Sequence, residues 1–180
     1  TLTHCTTLEI PSYHKLLFVG DVAVIPAPDF KQKQLIMDFL VKTAKAVGVA
    51  KPKVAIIAAT EQVLPSQPAT IEAAMLSKMV ERGQIKGCVA DGPLALDVAI
   101  DQESVEIKGL VSPVAGDADC LLFPNIESGN VFYKANSKRV PGVKQAGILV
   151  GAKVPCVLSS RADSIDTKLN SIAIAAMSVK

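Results

Sequence analysis

Short apolar runs alternate with longer amphipathic segments along the 180 residues of this chain. The apolar runs lack polar alternation, which is typical of strands covered on both faces of a sheet. Segments of about 10 to 18 residues follow them, with apolar positions at the i, i+3 and i+4 spacing of helices. Strands joined by helices imply right-handed βαβ crossovers. The alternation predicts an α/β fold of three layers, α/β/α, with a mostly parallel sheet.

Proline, glycine and capping residues mark the ends of the predicted elements. Asp29 and Gly48, for example, flank a helical pattern in the positions of an N-cap and a C-terminal stop. Strands are predicted at 16–25, 54–59, 87–90, 120–123, 146–150 and 154–158. Helices are predicted at 30–47, 68–82, 94–100, 129–138 and 164–178. The stretch before residue 16 is expected to be irregular, and Asp91-Gly92-Pro93 is expected to turn the chain into a helix.

Composition excludes several classes of protein. Hydrophobic residues make up 49% of the chain, which is too many for a disordered segment. A net charge of +2, scattered basic residues and 4% aromatics do not favour nucleic-acid binding. The apolar runs are far shorter than the ~20 residues of a membrane-spanning helix. The chain is therefore expected to be globular, with one domain or slightly more at ~150 residues per domain.

The four cysteines predict a reducing compartment. Cys5, Cys88, Cys120 and Cys156 are widely spaced and form no CxxC pair. The last three lie in apolar strand-like runs, where reduced thiols behave as small hydrophobic side chains. The first residues also lack the pattern of a signal peptide. We therefore expect a cytoplasmic protein without disulfides.

Polar residues directly after the predicted strands are the candidates for chemistry, because open parallel sheets bind ligands there. Ser159, Ser160 and Arg161 lie between a strand and the start of a helix. Helix N-termini favour anions, and a guanidinium can bind phosphate through two hydrogen bonds. The segment 159–164 is thus a candidate anion site. In the alternative interpretation, Ser164 only caps the helix while Arg161 and Asp163 face solvent.

Other polar positions are less specific. Gly129 would allow a ligand close to the backbone, and Asn130 could cap a helix or bind a ligand. Asp117 and Asp119 could be carboxylate ligands, but no His or Cys lies near them in sequence, so a turn or N-cap role is favoured over a metal site. The two histidines, His4 and His14, are expected to lie away from these loops and to have no catalytic role. The chain contains no P-loop, GxGxxG or GxSxG motif.

At these loops the sequence resembles the phosphate acyltransferases, the family of phosphotransacetylase and phosphate butyryltransferase. The matching segments cover nearly all of the chain in the order of the family. They are 52–55, 68–74, Asp91-Gly92-Pro93-Leu94-Ala95, 112–119, Pro124-Asn125-Ile126-Glu127, Gly129-Asn130, 151–155 and Ser160-Arg161-Ala162-Asp163-Ser164. The pair Tyr133-Lys134 is closer to the butyryl branch than to the acetyl branch.

The resemblance implies a fold like that of isocitrate and isopropylmalate dehydrogenase, with two domains and a site in the cleft between them. Residues 1–155 would form the second, inserted α/β domain, and 156–180 would return to the first domain. The N-terminal part of the family is expected to be missing from this chain. The resemblance further implies a homodimer that needs no metal or organic cofactor, with coenzyme A as a substrate.

The implied reaction interconverts acyl-CoA plus phosphate with acyl phosphate plus CoA, for butyryl or acetyl groups. Ser160 and Arg161 would bind the phosphate and the developing oxyanion. Asp166 or Asp163 would take the proton of the CoA thiol, whose thiolate attacks the acyl phosphate. The surrounding loops would bind the substrates, and their candidate residues are Ser159, Asp163, Ser164, Gly129, Asn130 and Asp91.

Two other interpretations remain. The chain could be a non-catalytic remnant that binds CoA or phosphate, or a structural domain that dimerises through its helices. A dehydrogenase of the related fold is weaker, because its metal-binding aspartates are not identifiable here.

Overall fold

The computed structural model describes residues 1–179, which form one seven-stranded sheet and six helices. The strands are β1 (Thr3–Glu9), β2 (Leu17–Gly20), β3 (Lys53–Ile57), β4 (Val89–Leu94), β5 (Cys120–Leu122), β6 (Lys144–Val150) and β7 (Cys156–Val157). The helices are α1 (Phe30–Ala46), α2 (Pro68–Glu81), α3 (Leu96–Ile100), α4 (Gln102–Lys108), α5 (Ile126–Arg139) and α6 (Ile165–Met177). The strand order is β4-β3-β5-β2-β1-β6-β7.

The sheet is mostly parallel, as predicted. β4, β3, β5 and β2 pair in parallel. β1 is antiparallel to both β2 and β6, so β6 runs in the same direction as the parallel group. β7 closes the order as a second antiparallel strand.

Helices cover both faces of the sheet, which confirms the three layers. On one face, α1, α2 and α6 pack on a cluster that includes Phe18, Met37 and Leu76. On the other face, residues of α3, α4 and α5 pack with Leu17 and Leu121. Consecutive strand residues such as Leu17 and Phe18 join opposite clusters, because strand side chains alternate between the two faces.

The expectation of an irregular N-terminus is wrong, because β1 lies inside the sheet between β2 and β6. Hydropathy does not reveal this strand, since four of its buried side chains are polar: Thr3, His4, Thr6 and Thr7. Hydrogen bonds to these side chains offset the free-energy cost of burying their polar groups. Thr3, for instance, donates its hydroxyl proton to the Asp21 carboxylate at 2.8 Å.

β2 ends five residues earlier than predicted, at Gly20. The buried carboxylate of Asp21 accepts the backbone N–H groups of Ala23, Val24 and Ile25 at 2.7 to 3.1 Å. These local bonds turn the chain away from the sheet, because a side chain that binds nearby amides competes with strand pairing. A loop therefore leads from β2 to α1, whose N-cap is Asp29 as predicted.

Asp91-Gly92-Pro93 does not form the predicted turn but continues β4 to Leu94. At Gly92 a Cβ atom would lie 2.7 Å from the Ile56 Cβ, so the strand passes too close to its neighbour for a side chain. The next helix starts at Leu96, and sequence analysis missed α4 altogether. α5 begins three residues before its predicted start, since Asn125 is its N-cap.

β7 is shorter than the predicted strand and lies at the edge of the sheet, so Cys156 is exposed rather than buried. Cys5, Cys88 and Cys120 are buried thiols. Beyond β7, the N–H of Gly147 donates at 2.9 Å to the hydroxyl of Ser171 on α6. A helix side chain therefore continues the pairing of β6 where the edge strand stops.

α6 has its polar face turned inward. Thr167 and Ser171 are buried against the sheet, whereas Ile165, Leu169 and Ile172 are 76%, 58% and 56% exposed. This inversion leaves an apolar face of α6 exposed, and a face of this kind is a candidate interaction surface.

Within residues 1–179, no helix combines the length and the apolar character that crossing a membrane requires.

Asp117 and Asp119 belong to an ion-pair cluster at the end of the sheet where β2, β3 and β5 begin. Asp117 lies 2.8 Å from the Nζ atoms of Lys15 and Lys53, and 2.7 Å from Nε2 of His14. Asp119 pairs with Lys15 at 3.0 Å and accepts the backbone N–H of Lys53. Partial burial raises the pKa of Asp117, but these hydrogen bonds together outweigh it and hold the pKa well below its usual value.

Replacement of Asp117 by Asn should weaken the fold in a pH-dependent way. A lowered folded-state pKa stabilises the fold above the ordinary carboxyl range, and this stabilisation is lost as the pH falls below it. The carboxylate is 39% exposed, so screening limits the expected loss at neutral pH to about 1 kcal/mol. Urea unfolding should show this difference shrinking between about pH 5 and pH 2.

Asp38→Asn is the matched control, because it breaks an exposed pair with Lys42 on a single helix. If Asp117→Asn lowers the free energy of unfolding equally at low and at neutral pH, the pKa of Asp117 is not lowered in the folded state.

Candidate active site

A cleft of about 540 Å³ opens on the face of the sheet that carries α5. We call it the α5 cleft. Its floor is formed by β1 and β6, one wall by α5, and the opposite wall by residues 158–163 between β7 and α6. Its volume lies within the ~300–1,000 Å³ of ordinary ligand sites.

The floor carries polar groups from two neighbouring strands. His4 and Thr6 of β1 lie beside Gln145 and Gly147 of β6. Even-numbered residues of β1 and odd-numbered residues of β6 share this face, because strand side chains alternate. The His4 ring is hydrogen-bonded through Nδ1 to the Thr6 hydroxyl at 3.1 Å.

The α5 wall presents two lysines and a tyrosine. Lys134 and Lys138 are one helical turn apart and therefore lie on the same side of α5. Both line the cleft, together with Tyr133. Burial raises the pKa of Tyr133, and the negative charge of Asp163 across the cleft adds to that shift.

The opposite wall is a short turn held by Asp163. One oxygen of the Asp163 carboxylate accepts the backbone N–H of Ser160 at 2.6 Å. The other accepts the side-chain amide of Gln145 at 3.2 Å, and the N–H of Asp163 donates to the Ser160 carbonyl at 3.1 Å. These contacts tie the turn to the floor, and we call residues 158–163 the lip.

His4 is the only titratable group on the floor of the cleft among the described residues that line it. Burial lowers the pKa of its imidazole, although the Asp21 carboxylate, the Leu158 carbonyl and the Asp163 carboxylate oppose the shift. The neutral ring is therefore favoured over the charged one. The expectation that His4 lies away from the candidate loops is wrong, whereas His14 lies in the ion-pair cluster.

Four of the predicted site residues meet in the cleft. They are Ser159, Ser160, Asp163 and Asn130. Asn130 lies inside α5 instead of capping it, and its Nδ2 donates to the Val22 carbonyl at 2.8 Å. It therefore joins the β2–α1 loop to the α5 wall.

Three others do not line the cleft but adjoin lining residues in the chain. Arg161 is exposed in the turn of the lip, between cleft residues Ser160 and Ala162. Ser164 is the N-cap of α6, and Asp166 lies exposed in the first turn of that helix. The capping role of Ser164 agrees with the alternative interpretation of that residue.

The other two predicted residues lie on α5 and β4, away from the lip. Gly129 packs against the β2–α1 loop, where a Cβ atom would lie 2.6 Å from the Asp21 carbonyl oxygen. Asp91 lies on β4, at the opposite end of the strand order from β6. It contacts the Ser77 hydroxyl at 3.4 Å.

The reasoning from sequence missed the floor and the lysines. His4, Thr6 and Gln145 meet only through pairing between distant strands. Lys134 and Lys138 could have been found, because their i, i+4 spacing places two positive charges on one helix face.

Asp163→Ala should loosen the lip, because Ser160 N–H loses a charged acceptor worth about 1.5 kcal/mol or more. Amide hydrogen exchange at residues 159–163 should become about tenfold faster. Asp166→Ala is the matched control, since it removes an exposed carboxylate one turn away without touching the lip. Unchanged exchange in the Asp163 variant would show that its carboxylate does not hold the turn.

Two curated relatives match almost the whole chain. The phosphate butyryltransferase of Clostridium acetobutylicum is 51% identical, over 98% of this chain and 58% of that protein. The phosphate acetyltransferase of Thermotoga maritima is 45% identical, over 98% of this chain and 60% of that protein. The chain therefore spans about three fifths of the length of these relatives.

Solved structures agree with the fold. A branched-chain phosphotransacylase from Enterococcus faecalis V583 superposes with a TM-score of 0.89 at 32% identity, over 99% of this chain and 63% of that one. The EutD phosphotransacetylase from Staphylococcus aureus gives 0.80 at 25% identity, over 98% and 54%. The profile described as "Phosphate acetyl/butaryl transferase" matches residues 1–176. The chain belongs to this family.

Proposed function

We propose that this chain carries the acyl-transfer site of a phosphate acyltransferase, which interconverts acyl-CoA plus phosphate with acyl phosphate plus CoA. The observation that carries the proposal is the α5 cleft itself. It sets two lysines opposite the hydroxyl groups of Ser159 and Ser160, next to which Arg161 lies in the chain, in a member of this family. Both substrates bear phosphate groups, and both walls therefore offer donors for them.

The lysines suit the phosphates of CoA. Each ammonium donates charge-assisted hydrogen bonds to phosphate oxygens without demanding a fixed orientation. Lys134 and Lys138 are exposed along the wall, so they remain hydrated until a ligand enters. CoA would lie along α5 with its thiol directed toward the lip.

The lip suits the acyl phosphate. Ser160 supplies a hydroxyl, and Arg161 supplies a planar fork of donors that matches phosphate oxygens. Arg161 lies in the turn between two residues that line the cleft. A guanidinium directed at the tetrahedral oxyanion would lower the barrier by about 3 kcal/mol, as other oxyanion donors do.

In the proposed reaction, the CoA thiolate attacks the carbonyl carbon of the acyl phosphate. The new carbon–sulfur bond forms, the bond from carbon to the phosphate oxygen breaks, and phosphate leaves with the electron pair. The thiol must first lose its proton, because the thiolate is the nucleophile. Asp166 and Asp163 are the candidate bases. Asp163 already holds the lip through both oxygens, which supports Asp166 for this role.

The inverted polarity of α6 supports the proposed domain division, in which residues 156–180 belong to a different domain from 1–155. In this structure, 156–179 pack on the same sheet, and residue 180 lies outside the described residues. A second domain over Leu169 and Ile172 would bury the exposed apolar face. The homodimer, the cytoplasmic location and the absence of a cofactor stay predictions.

Arg161→Ala should lower kcat for CoA-dependent consumption of butyryl or acetyl phosphate by about 100-fold or more. Arg161→Lys should recover only part of this loss, because an ammonium lacks the guanidinium fork. Thioester absorbance measures the product. Arg82→Ala is the control, since Arg82 follows α2 on the other side of the sheet.

If the wild-type protein binds CoA saturably but forms no thioester, the non-catalytic binding domain would be the better description. Equal kcat values for Arg161→Ala and wild type would show that Arg161 has no part in the reaction.

The double variant Lys134→Ala with Lys138→Ala should raise KM for CoA about tenfold or more, because charge-assisted hydrogen bonds contribute about 1.5–3 kcal/mol each. The KM for acyl phosphate should change little. Lys31→Ala with Lys51→Ala removes the same charge from two exposed lysines that do not line the cleft, and serves as the control. An equal rise in both KM values would indicate a general loss of charge attraction instead of a CoA site.

A further inference from the structure

We infer that His4 is a positioning residue of the α5 cleft: its imidazole holds the carbonyl group of Leu158 and so fixes where the lip leaves the sheet. The inference rests on the proposed function for its kinetic readout and on the structure alone for its structural readout. His4 lies on β1, more than 150 residues before the lip in the chain.

The His4 ring lies across the neighbouring strand toward the lip. Gly147 of β6 permits this path, because a Cβ atom there would lie 2.9 Å from His4 Nε2. The same position would be 3.2 Å from the Leu158 carbonyl oxygen. The ring nitrogen and the carbonyl oxygen thus both lie beside a residue without a side chain, and a hydrogen bond with the Leu158 backbone is among the influences on the pKa of the ring. A side chain at 147 would occupy the space next to both atoms.

The partners of the ring define its tautomer. The Leu158 carbonyl can only accept a hydrogen bond, so Nε2 must carry the proton that faces it. Nδ1 of the neutral ring is then an acceptor, and the Thr6 hydroxyl at 3.1 Å is its donor. Successive hydrogen bonds therefore run from Thr6 through His4 to Leu158, each donated toward the lip. Burial keeps the ring neutral, as the lowered pKa of His4 indicates.

The lip needs this contact because β7 is short. Only Cys156 and Val157 pair with β6, and Leu158 is the first residue beyond the ladder. Asp163 holds the far end of the lip through Ser160 and Gln145. His4 holds the near end. Ser159 and Ser160 lie between the two attachments, so their place in the cleft depends on both.

The first test measures the tautomer in the wild-type protein. Long-range ¹H–¹⁵N spectra of the folded chain should show His4 protonated on Nε2 and unprotonated on Nδ1 at neutral pH. A ring protonated on Nδ1 alone would overturn the inference. This measurement needs no substitution, so it stands even if a His4 variant fails to fold.

The second test replaces His4 by two amide side chains of different length. His4→Gln places an N–H donor near the position of Nε2, whereas the shorter side chain of His4→Asn reaches only the position of Nδ1. Hydrogen exchange at residues 158–160 should stay near the wild-type rate in the Gln variant and rise in the Asn variant. The Asn variant should also lose about 10- to 100-fold in kcat, as small misplacements of reacting groups do.

Thr7→Val is the control, because Thr7 is equally buried on β1 but its side chain faces α1. It should leave lip exchange and kcat unchanged. If the Gln and Asn variants behave alike in lip exchange, His4 does not position the lip. If wild type has no turnover while the exchange pattern holds, the proposed function fails and the positioning role stands.

Discussion

A buried carboxylate joins the parts of this fold that form the cleft. Asp21 is only 3% exposed, and a buried charge without partners costs several kcal/mol. It accepts five hydrogen bonds, from the hydroxyl of Thr3 and the backbone N–H groups of His4, Ala23, Val24 and Ile25. The folded chain therefore has to bring the start of β1 against the end of β2. This contact places His4 on the floor of the α5 cleft. It also brings Val22 and Ala23 of the β2–α1 loop to the cleft.

The sequence predicts the elements whose signals are local. The ends of α1 lie within one residue of prediction, because Asp29 and the glycine after the helix mark them directly. β1 was missed because its buried side chains are mostly polar, and their partners lie elsewhere in the chain. β4 was predicted too short because Gly92 resembles a turn residue, although its role is close packing against Ile56.

In the candidate site, too, residues with local sequence signals were predicted and those that depend on strand pairing were not. Ser159, Ser160 and Asp163 were predicted from their position between a strand and a helix, and the lip has that position. The floor could not be predicted, since His4 and Gln145 come together only through the pairing of β1 with β6. Asp91 was predicted to share a site with Ser159 and Ser160, because the local sequence does not reveal the order of strands in the sheet. The structure puts β4 and β7 at opposite edges.

The contact between Ser171 and Gly147 also affects how the sheet edge meets other chains. Unpaired backbone groups on an edge strand are templates for strand addition and fibril growth. Here the edge strand has two residues, and the next amide of β6 is already bonded to a helix hydroxyl. An incoming strand would find few free donors in register. The same helix that exposes apolar side chains outward thus shields the backbone against cross-β stacking.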